Sequence, residues 1–143
     1  MYSQNDLSRF LIAQENTYVI ALAEMKNGQK RTHWMWFIFP QIKGLGTTEI
    51  SIKYSINDID EAISYLNHPV LGERLKEISE ELLKIRGKSA SEIFGSPDDK
   101  KLKSCMTLFS LVSHEPNAFH RVLEKYYKGE KDERTLEIAS LLN

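Results

Sequence analysis

The chain has 143 residues, of which 41% are hydrophobic, and its 19 Lys and Arg residues nearly balance its 20 Asp and Glu residues. This length predicts one domain over residues 1–143, and the net charge of −1 argues against a protein that coats nucleic acid, because phosphate binding uses a basic face. Cys105 is the single cysteine, which excludes an internal disulfide and a multi-cysteine zinc site.

The chain shows no sequence signal for export or for membrane insertion. Residues 1–10 lack the basic region followed by an apolar region that is typical of a secretion signal. The longest apolar run, Trp34–Pro40, has seven residues, whereas a membrane-spanning helix needs about 20. We therefore expect a cytoplasmic protein with no membrane partner.

The first predicted element is a helix of about twenty residues that begins near Asp6. Large and mostly apolar side chains recur there at spacings of three and four, which predicts one buried stripe. The stripe consists of Leu7, Phe10, Leu11, Gln14, Tyr18, Ala21, Leu22 and Met25. Gly28 then supplies a plausible C-terminal stop for the helix.

The next segment, Trp34–Pro40, is apolar on all sides, so its periodicity cannot separate a buried strand from a buried helical turn. Because the neighbouring elements are predicted as helices, we favour a short buried helix that Thr32 caps and that ends before Pro40. After a loop at Gly44–Gly46, Thr47 or Thr48 is predicted to cap a further short helix.

The remainder of the chain is also predicted as helices, each with a recognisable start signal. These starts are Asn57 or Asp58, Pro69, the Ser89–Glu92 capping box, Ser96–Pro97, Asn117 and Asp132. No alternating pattern of strand length occurs in the sequence. We therefore predict an all-α, compact single domain of about seven to eight helices, several of them short.

Both tryptophans of the chain, Trp34 and Trp36, lie in one aromatic segment, and this segment is the first candidate site. In a helix, His33, Trp36 and Phe37 would share one face, while Trp34 would lie on another face with Ile38. The segment is then either an aromatic core helix or the wall of a pocket on which a base or sugar stacks. Both interpretations can hold if one face is core and the other is pocket.

The second candidate site is the polar frame of the aromatic segment, formed by Lys30, Arg31, His33 and Gln41. Arg31 could pair bidentately with a carboxylate or phosphate, and His33 could serve as an acid, a base or a hydrogen-bond donor. The alternative is that Lys30 and Arg31 are solvated loop charges and that His33 bonds the backbone.

The third candidate site is the predicted helix start at Gly95–Lys100, together with Ser104. A helix N-terminus attracts anions, but Asp98 and Asp99 already supply negative charge there, which favours capping over phosphate binding. The four histidines are scattered without metal-ligand spacing, so no metal is expected, and no cofactor is expected either. Cys105 falls on an apolar helical face and is predicted to be an inert buried thiol.

Several of these segments resemble an uncharacterised family. Arg31–Gln41, followed by Gly44-Leu45-Gly46, resembles the central motif of domain-of-unknown-function family 1810, and three further blocks fit the same family. These blocks are His68–Gly72, Ile93–Lys100 and Leu102–Phe109. The resemblance extends from Leu7 to about Leu136 and implies a mostly helical single domain, with no established activity, cofactor or catalytic residue. The "calpastatin" label that some members carry does not fit, because this chain is neither repetitive nor disordered in composition.

We expect a binding site for a small anionic or nucleotide/ADP-ribose-like ligand, in a cleft framed by Arg31–Gln41 and Ser96–Ser104. The candidate ligand-binding residues are Arg31, His33, Trp34, Trp36, Gln41, Asp98, Asp99, Lys100 and Ser104. Catalysis and oligomeric state stay open, although His33 or Asp98 could act as an acid or base.

Two alternatives remain beside this hypothesis. One is a non-catalytic protein-interaction or regulatory module, which would show a flat exposed apolar patch. The other is that the motifs are purely structural, in which case His33 and Asp99 would be buried beside no cavity. A cavity between Arg31–Gln41 and Ser96–Ser104 is the observation that separates these hypotheses.

Overall fold

The computed structural model describes residues 6–114 and 117–142. Within these ranges all named elements are helices, which confirms the predicted all-α fold. The helices are α1 Ser8–Gln14, α2 Tyr18–Lys26, α3 Met35–Ile38, α4 Glu49–Lys53, α5 Ile59–Asn67, α6 Leu71–Lys84, α7 Ala90–Phe94, α8 Asp98–Leu111, α9 Ala118–Tyr127 and α10 Glu133–Leu141. None of the helices in the described part of the chain is long and apolar enough to cross a membrane.

The predicted twenty-residue first helix is instead two helices, α1 and α2, separated by a tight turn. The N–H of Glu15 bonds the carbonyl of Ile12, and the N–H of Thr17 bonds the carbonyl of Gln14, so the chain leaves α1 through i→i−3 hydrogen bonds. The predicted stripe nevertheless stays buried across the break at Leu7, Phe10, Gln14, Tyr18, Ala21 and Met25. The division adds one helix to those that the periodicity predicts.

Side-chain caps begin several helices where the sequence predicts them. Thr48, Asp58, Asn117 and Asp132 each accept a hydrogen bond from the backbone N–H three residues later. At α7, Ser89 and Glu92 form both bonds of the predicted capping box, at 3.1 and 2.8 Å. These starts are local features, which is why sequence reasoning finds them.

Three predicted helix starts differ in the structure. The hydroxyl of Thr32 donates to Glu24 at 2.6 Å, and α3 begins after Trp34 without a side-chain cap. Pro69 precedes α6, which begins at Leu71. The ring nitrogen Nδ1 of His68 accepts hydrogen bonds from the N–H groups of Val70 and Leu71, where α6 begins. Ser96 does not cap α8, because Pro97 occupies the cap position and makes no side-chain bond.

Helix α8 lies at the centre of the fold and packs against α5, α7, α9 and α10. Its predicted inner face is buried at Leu102, Cys105, Met106 and Phe109. The N-terminal end of α8 is less buried than its middle, and Asp98 and Asp99 there keep partial exposure. This end carries the charged side chains that meet α3.

Candidate ligand-binding cleft

Glu24 of α2 organises the backbone that leads into α3. Its Oε1 accepts hydrogen bonds from the N–H groups of Arg31 and Thr32, at 2.7 and 3.1 Å, and from the indole Nε1 of Trp34 at 2.8 Å. Its Oε2 accepts the hydroxyl of Thr32. Burial raises the pKa of the Glu24 carboxyl, but these hydrogen bonds outweigh burial and hold that pKa below its ordinary value.

Sequence reasoning missed Glu24, although a signal for it was present. It follows Ala21 by three residues, which puts a carboxylate beside the buried stripe of the predicted helix. A buried charge requires several hydrogen-bond donors, and the segment from Arg31 to Trp34 supplies them.

Helix α3 presents different aromatic rings to the core and to the surface. Trp34 is 1% exposed, and its ring contacts Phe39 and Phe94 at centroid distances of 6.1 and 6.4 Å. Trp36 and Phe37 are half-buried on the outer side. Trp34 therefore belongs to the core, as the first interpretation of this segment predicts, whereas Trp36 reaches the surface.

Three charged groups meet at the outer side of α3, namely Asp98 and Lys101 from the first turn of α8 and Lys30 from the segment that precedes α3. The Asp98 carboxylate lies 2.9 Å from Lys30 Nζ through Oδ2 and 3.1 Å from Lys101 Nζ through Oδ1. Lys101 Nζ also lies 4.0 Å from the ring centre of Trp36. Burial raises the pKa of Asp98, but the hydrogen bonds and charges of both lysines outweigh it, so that pKa lies below its usual value.

Between α3 and the start of α8 lies a cleft of about 260 Å³. Its polar lining consists of Lys30, His33, Asp98 and Lys101. Its apolar lining consists of Trp34, Met35, Trp36, Phe37 and Ile50. Two ammonium groups thus face one carboxylate beside an accessible indole, and the lining carries an excess of positive charge.

The cleft lies between the two segments that the sequence singles out. His33 is exposed and Asp99 is partly exposed, so neither is in the buried state that a purely structural role for the motifs requires. Among the described residues, no three His, Cys, Asp or Glu side chains are grouped so that they could hold a metal ion.

Of the predicted candidates, His33, Trp34, Trp36 and Asp98 line the cleft, and the other five lie elsewhere. Arg31 and Lys100 are exposed, and Gln41 and Ser104 are buried. Asp99 Oδ1 accepts the N–H of Lys100 at 2.9 Å, and its carbonyl accepts the hydroxyl of Tyr127. The Ser104 hydroxyl donates to the carbonyl of Lys100 at 3.2 Å.

The cationic residue of α8 that lines the cleft is Lys101, which is not among the residues selected from the sequence. Residues three apart on a helix are neighbours, whereas residues two apart point to different sides. Asp98 and Lys101 are three apart and form an ion pair, whereas Lys100 is two residues from Asp98 and points away. The i,i+3 spacing was the signal that could have identified Lys101.

Comparison with known proteins gives a match to a family model and a match to a solved structure. The model of a family described as "Protein of unknown function (DUF1810)" matches residues 4–139. The crystal structure of the conserved hypothetical protein Rv1873 from Mycobacterium tuberculosis is similar to this chain, with a TM-score of 0.92 and 44% sequence identity. That similarity covers 94% of this chain and 96% of the other. No curated protein matches the sequence.

Proposed function

The chain belongs to the DUF1810 family of proteins of unknown function, and we propose that its cleft binds a small anionic ligand of the nucleotide or ADP-ribose-like class. The observation that carries this proposal is the placement of Lys101 over the accessible ring of Trp36, in a cleft that Lys30 also lines. Such a ligand has an anionic group for the ammonium groups and an aromatic base for the indole.

The charge balance of the cleft favours an anion. Lys30 Nζ already donates to the carbonyl of Thr32 at 2.7 Å and pairs with Asp98, so two of its three N–H groups have partners. Lys101 Nζ pairs with Asp98 and otherwise faces Trp36. Lys101 therefore has donors to spare for a phosphate or carboxylate, and exposed His33 at the same cleft can add another.

The aromatic contact that we propose involves Trp36 and not Trp34. Trp34 is 1% exposed and its indole N–H is bonded to Glu24, so its ring is committed to the core. Trp36 is half-buried, with Phe37 beside it in the cleft lining. The ligand's base would pack on Trp36 while its anionic group meets the ammonium group of Lys101.

The size of the cleft limits how much of a ligand it can enclose. Pockets for drug-sized ligands have volumes of about 300–1,000 Å³, and this cleft of about 260 Å³ is slightly smaller. It suits a base with part of its sugar and phosphate, and the rest of a longer ligand would extend into solvent. We assign no chemical step to the site, because Asp98 is held ionised between two lysines and is poorly suited to donate a proton.

The experiment that tests this proposal is a thermal-shift comparison of AMP, ADP-ribose, adenosine and inorganic phosphate. A ligand at one hundred times its Kd stabilises a protein by about 2.7 kcal/mol, which raises Tm by several degrees. We expect AMP or ADP-ribose to raise Tm more than adenosine or phosphate alone, because only they carry both groups.

The matched variants are Trp36→Ala and Lys101→Met in the cleft, with Arg31→Ala and Lys100→Met outside its lining. We expect the ligand-dependent shift to be clearly smaller in the two cleft variants and unchanged in the two others. The proposal is wrong if no probe shifts Tm, or if the cleft variants respond to the probes as the wild type does. A protein-interaction module would give the first of these results.

A further inference from the structure

A second, smaller cavity lies on another side of Trp36, between α4 and the loop that follows α3. It has a volume of about 20 Å³, and Trp36 lines both this cavity and the cleft. Its polar lining includes Gln41, Ser51 and Ser55. A volume of at least about 10–15 Å³ is needed for one water molecule, so the cavity can hold one oxygen atom with its hydrogens.

The side chain of Gln41 has an unused hydrogen-bond donor at this cavity. Gln41 is 8% exposed, and its Nε2 is buried without a hydrogen-bond partner among the described residues. Its backbone is fixed, because its carbonyl accepts the N–H of Ile56 at 2.8 Å. The N–H of Lys43 bonds the carbonyl of Ile56 at the same distance. An unpaired buried amide is costly and rare, so a partner for Nε2 is expected in the adjoining space.

The two serines at the cavity have the opposite requirement. The hydroxyl of Ser51 donates to the carbonyl of Thr48 at 2.8 Å, and the hydroxyl of Ser55 donates to the carbonyl of Ile52 at 2.8 Å. Each hydroxyl has a single hydrogen, which is used in these bonds. Each serine oxygen therefore keeps a lone pair that can accept a further hydrogen bond.

A group in the cavity must consequently accept a hydrogen bond from Gln41 and donate one to Ser51 or Ser55. A hydroxyl group does both, whereas a halide or an ionised carboxylate oxygen can only accept. We propose that the cavity behind Trp36 is a binding site for a single hydroxyl group, supplied by a water molecule or by the hydroxyl of a sugar or polyol. This site does not rest on the ligand proposed for the cleft.

The experiment is a crystal structure of the full chain at a resolution that shows ordered water, grown without polyols and then soaked with D-ribose. We expect an oxygen peak within 3.2 Å of Gln41 Nε2 and of a serine Oγ. An isolated peak in both crystals identifies water, and continuous density after the soak identifies a sugar hydroxyl. An empty cavity in both crystals overturns the proposal, as does a peak that contacts Gln41 but neither serine.

A bromide soak and one variant complete the test. Bromide is an acceptor without a hydrogen to donate, so an anomalous bromine peak at Gln41 would contradict the assignment to a hydroxyl. Gln41→Met keeps the length of the side chain and removes the donor, and we expect its crystal to lose the oxygen peak. If the oxygen stays in place in Gln41→Met, the site does not depend on the amide and the proposal is wrong. The wild-type crystal decides the question even if the variant does not fold.

Discussion

The ammonium nitrogen of Lys101 lies 4.0 Å from the ring centre of Trp36, which joins the first turn of α8 to the outer side of α3. The same nitrogen lies 3.1 Å from Asp98 Oδ1, so the carboxylate holds the lysine over the ring. This contact links the aromatic segment before and within α3 to the charged start of α8, and the cleft lies between them.

Lys101→Met is predicted to weaken AMP binding by about tenfold, which corresponds to about 1.4 kcal/mol. The change removes the charge-assisted contact to the ligand and keeps the apolar part of the side chain over Trp36. Isothermal titration calorimetry measures the Kd, with Lys100→Met as the matched control because Lys100 is exposed outside the cleft lining. Equal affinities of the two variants for AMP would show that Lys101 does not contribute to binding.

Glu24→Gln is predicted to destabilise the fold by about 2 kcal/mol, because a carboxylate accepts hydrogen bonds from N–H and O–H donors more strongly than an amide oxygen does. The hydrogen bonds that become weaker are those from the backbone N–H groups of Arg31 and Thr32 and from the indole N–H of Trp34. Urea unfolding at neutral pH measures the difference. Glu15→Gln is the control, since Glu15 is exposed. A cost no larger than that of Glu15→Gln would show that Glu24 does not hold the segment.

The stability that Glu24 contributes is predicted to depend on pH. Its pKa is lower in the folded chain than its ordinary value, so the folded state favours the ionised form. The contribution is complete above the unfolded pKa of about 4.3 and is lost as the pH falls through the folded pKa. The difference in unfolding free energy between wild type and Glu24→Gln should thus be constant from about pH 6 to 8 and shrink below about pH 4. A difference that grows on acidification would contradict this sign.

Gly72→Ala is predicted to destabilise the fold by about 3 kcal/mol, although alanine usually stabilises a helix relative to glycine by about 1 kcal/mol. Gly72 lies near the start of α6, where an added Cβ would fall 1.9 Å from the carbonyl oxygen of Leu66 at the end of α5. Gly87→Ala is a useful comparison, because it meets no atom within 4 Å and carries only the cost of its positive φ. Thermal unfolding of both variants tests whether Gly72→Ala is the less stable of the two. A Gly72→Ala protein as stable as wild type would show that the added Cβ does not clash with the carbonyl oxygen of Leu66.

The thiol of Cys105 is predicted to resist modification in the folded protein. Cys105 is fully buried on α8, and burial raises the pKa of its thiol well above the usual value, so almost no thiolate forms near neutral pH. A colorimetric disulfide reagent should react slowly with the native chain. After denaturation in guanidinium, it should detect one reactive thiol per chain. Fast reaction of the native protein would show an accessible thiolate.

Much of the fold could be predicted from sequence because its signals are local. The capping side chains of Asp58, Ser89 and Asn117 act within three residues of their own positions. The buried face of α8 follows from spacings of three and four, and its Cys105 is buried as that periodicity indicated. The turn at Glu15–Thr17 could not be found in this way, because the buried stripe keeps its spacing through the break.

The candidate site was only partly predictable, because it depends on contacts between segments that are distant in sequence. Local patterns are enough to predict an all-helical chain with a concentrated aromatic segment, since periodicity and capping are properties of neighbouring residues. Tertiary packing buries Trp34 in the core and leaves the ring of Trp36 accessible at the cleft, and it brings Lys101 rather than Lys100 to the cleft lining. Glu24 anchors the segment before α3, and Asp98 pairs with Lys30 across 68 positions of the chain. These positions are set by the packing of α2, α3 and α8, which no local pattern encodes.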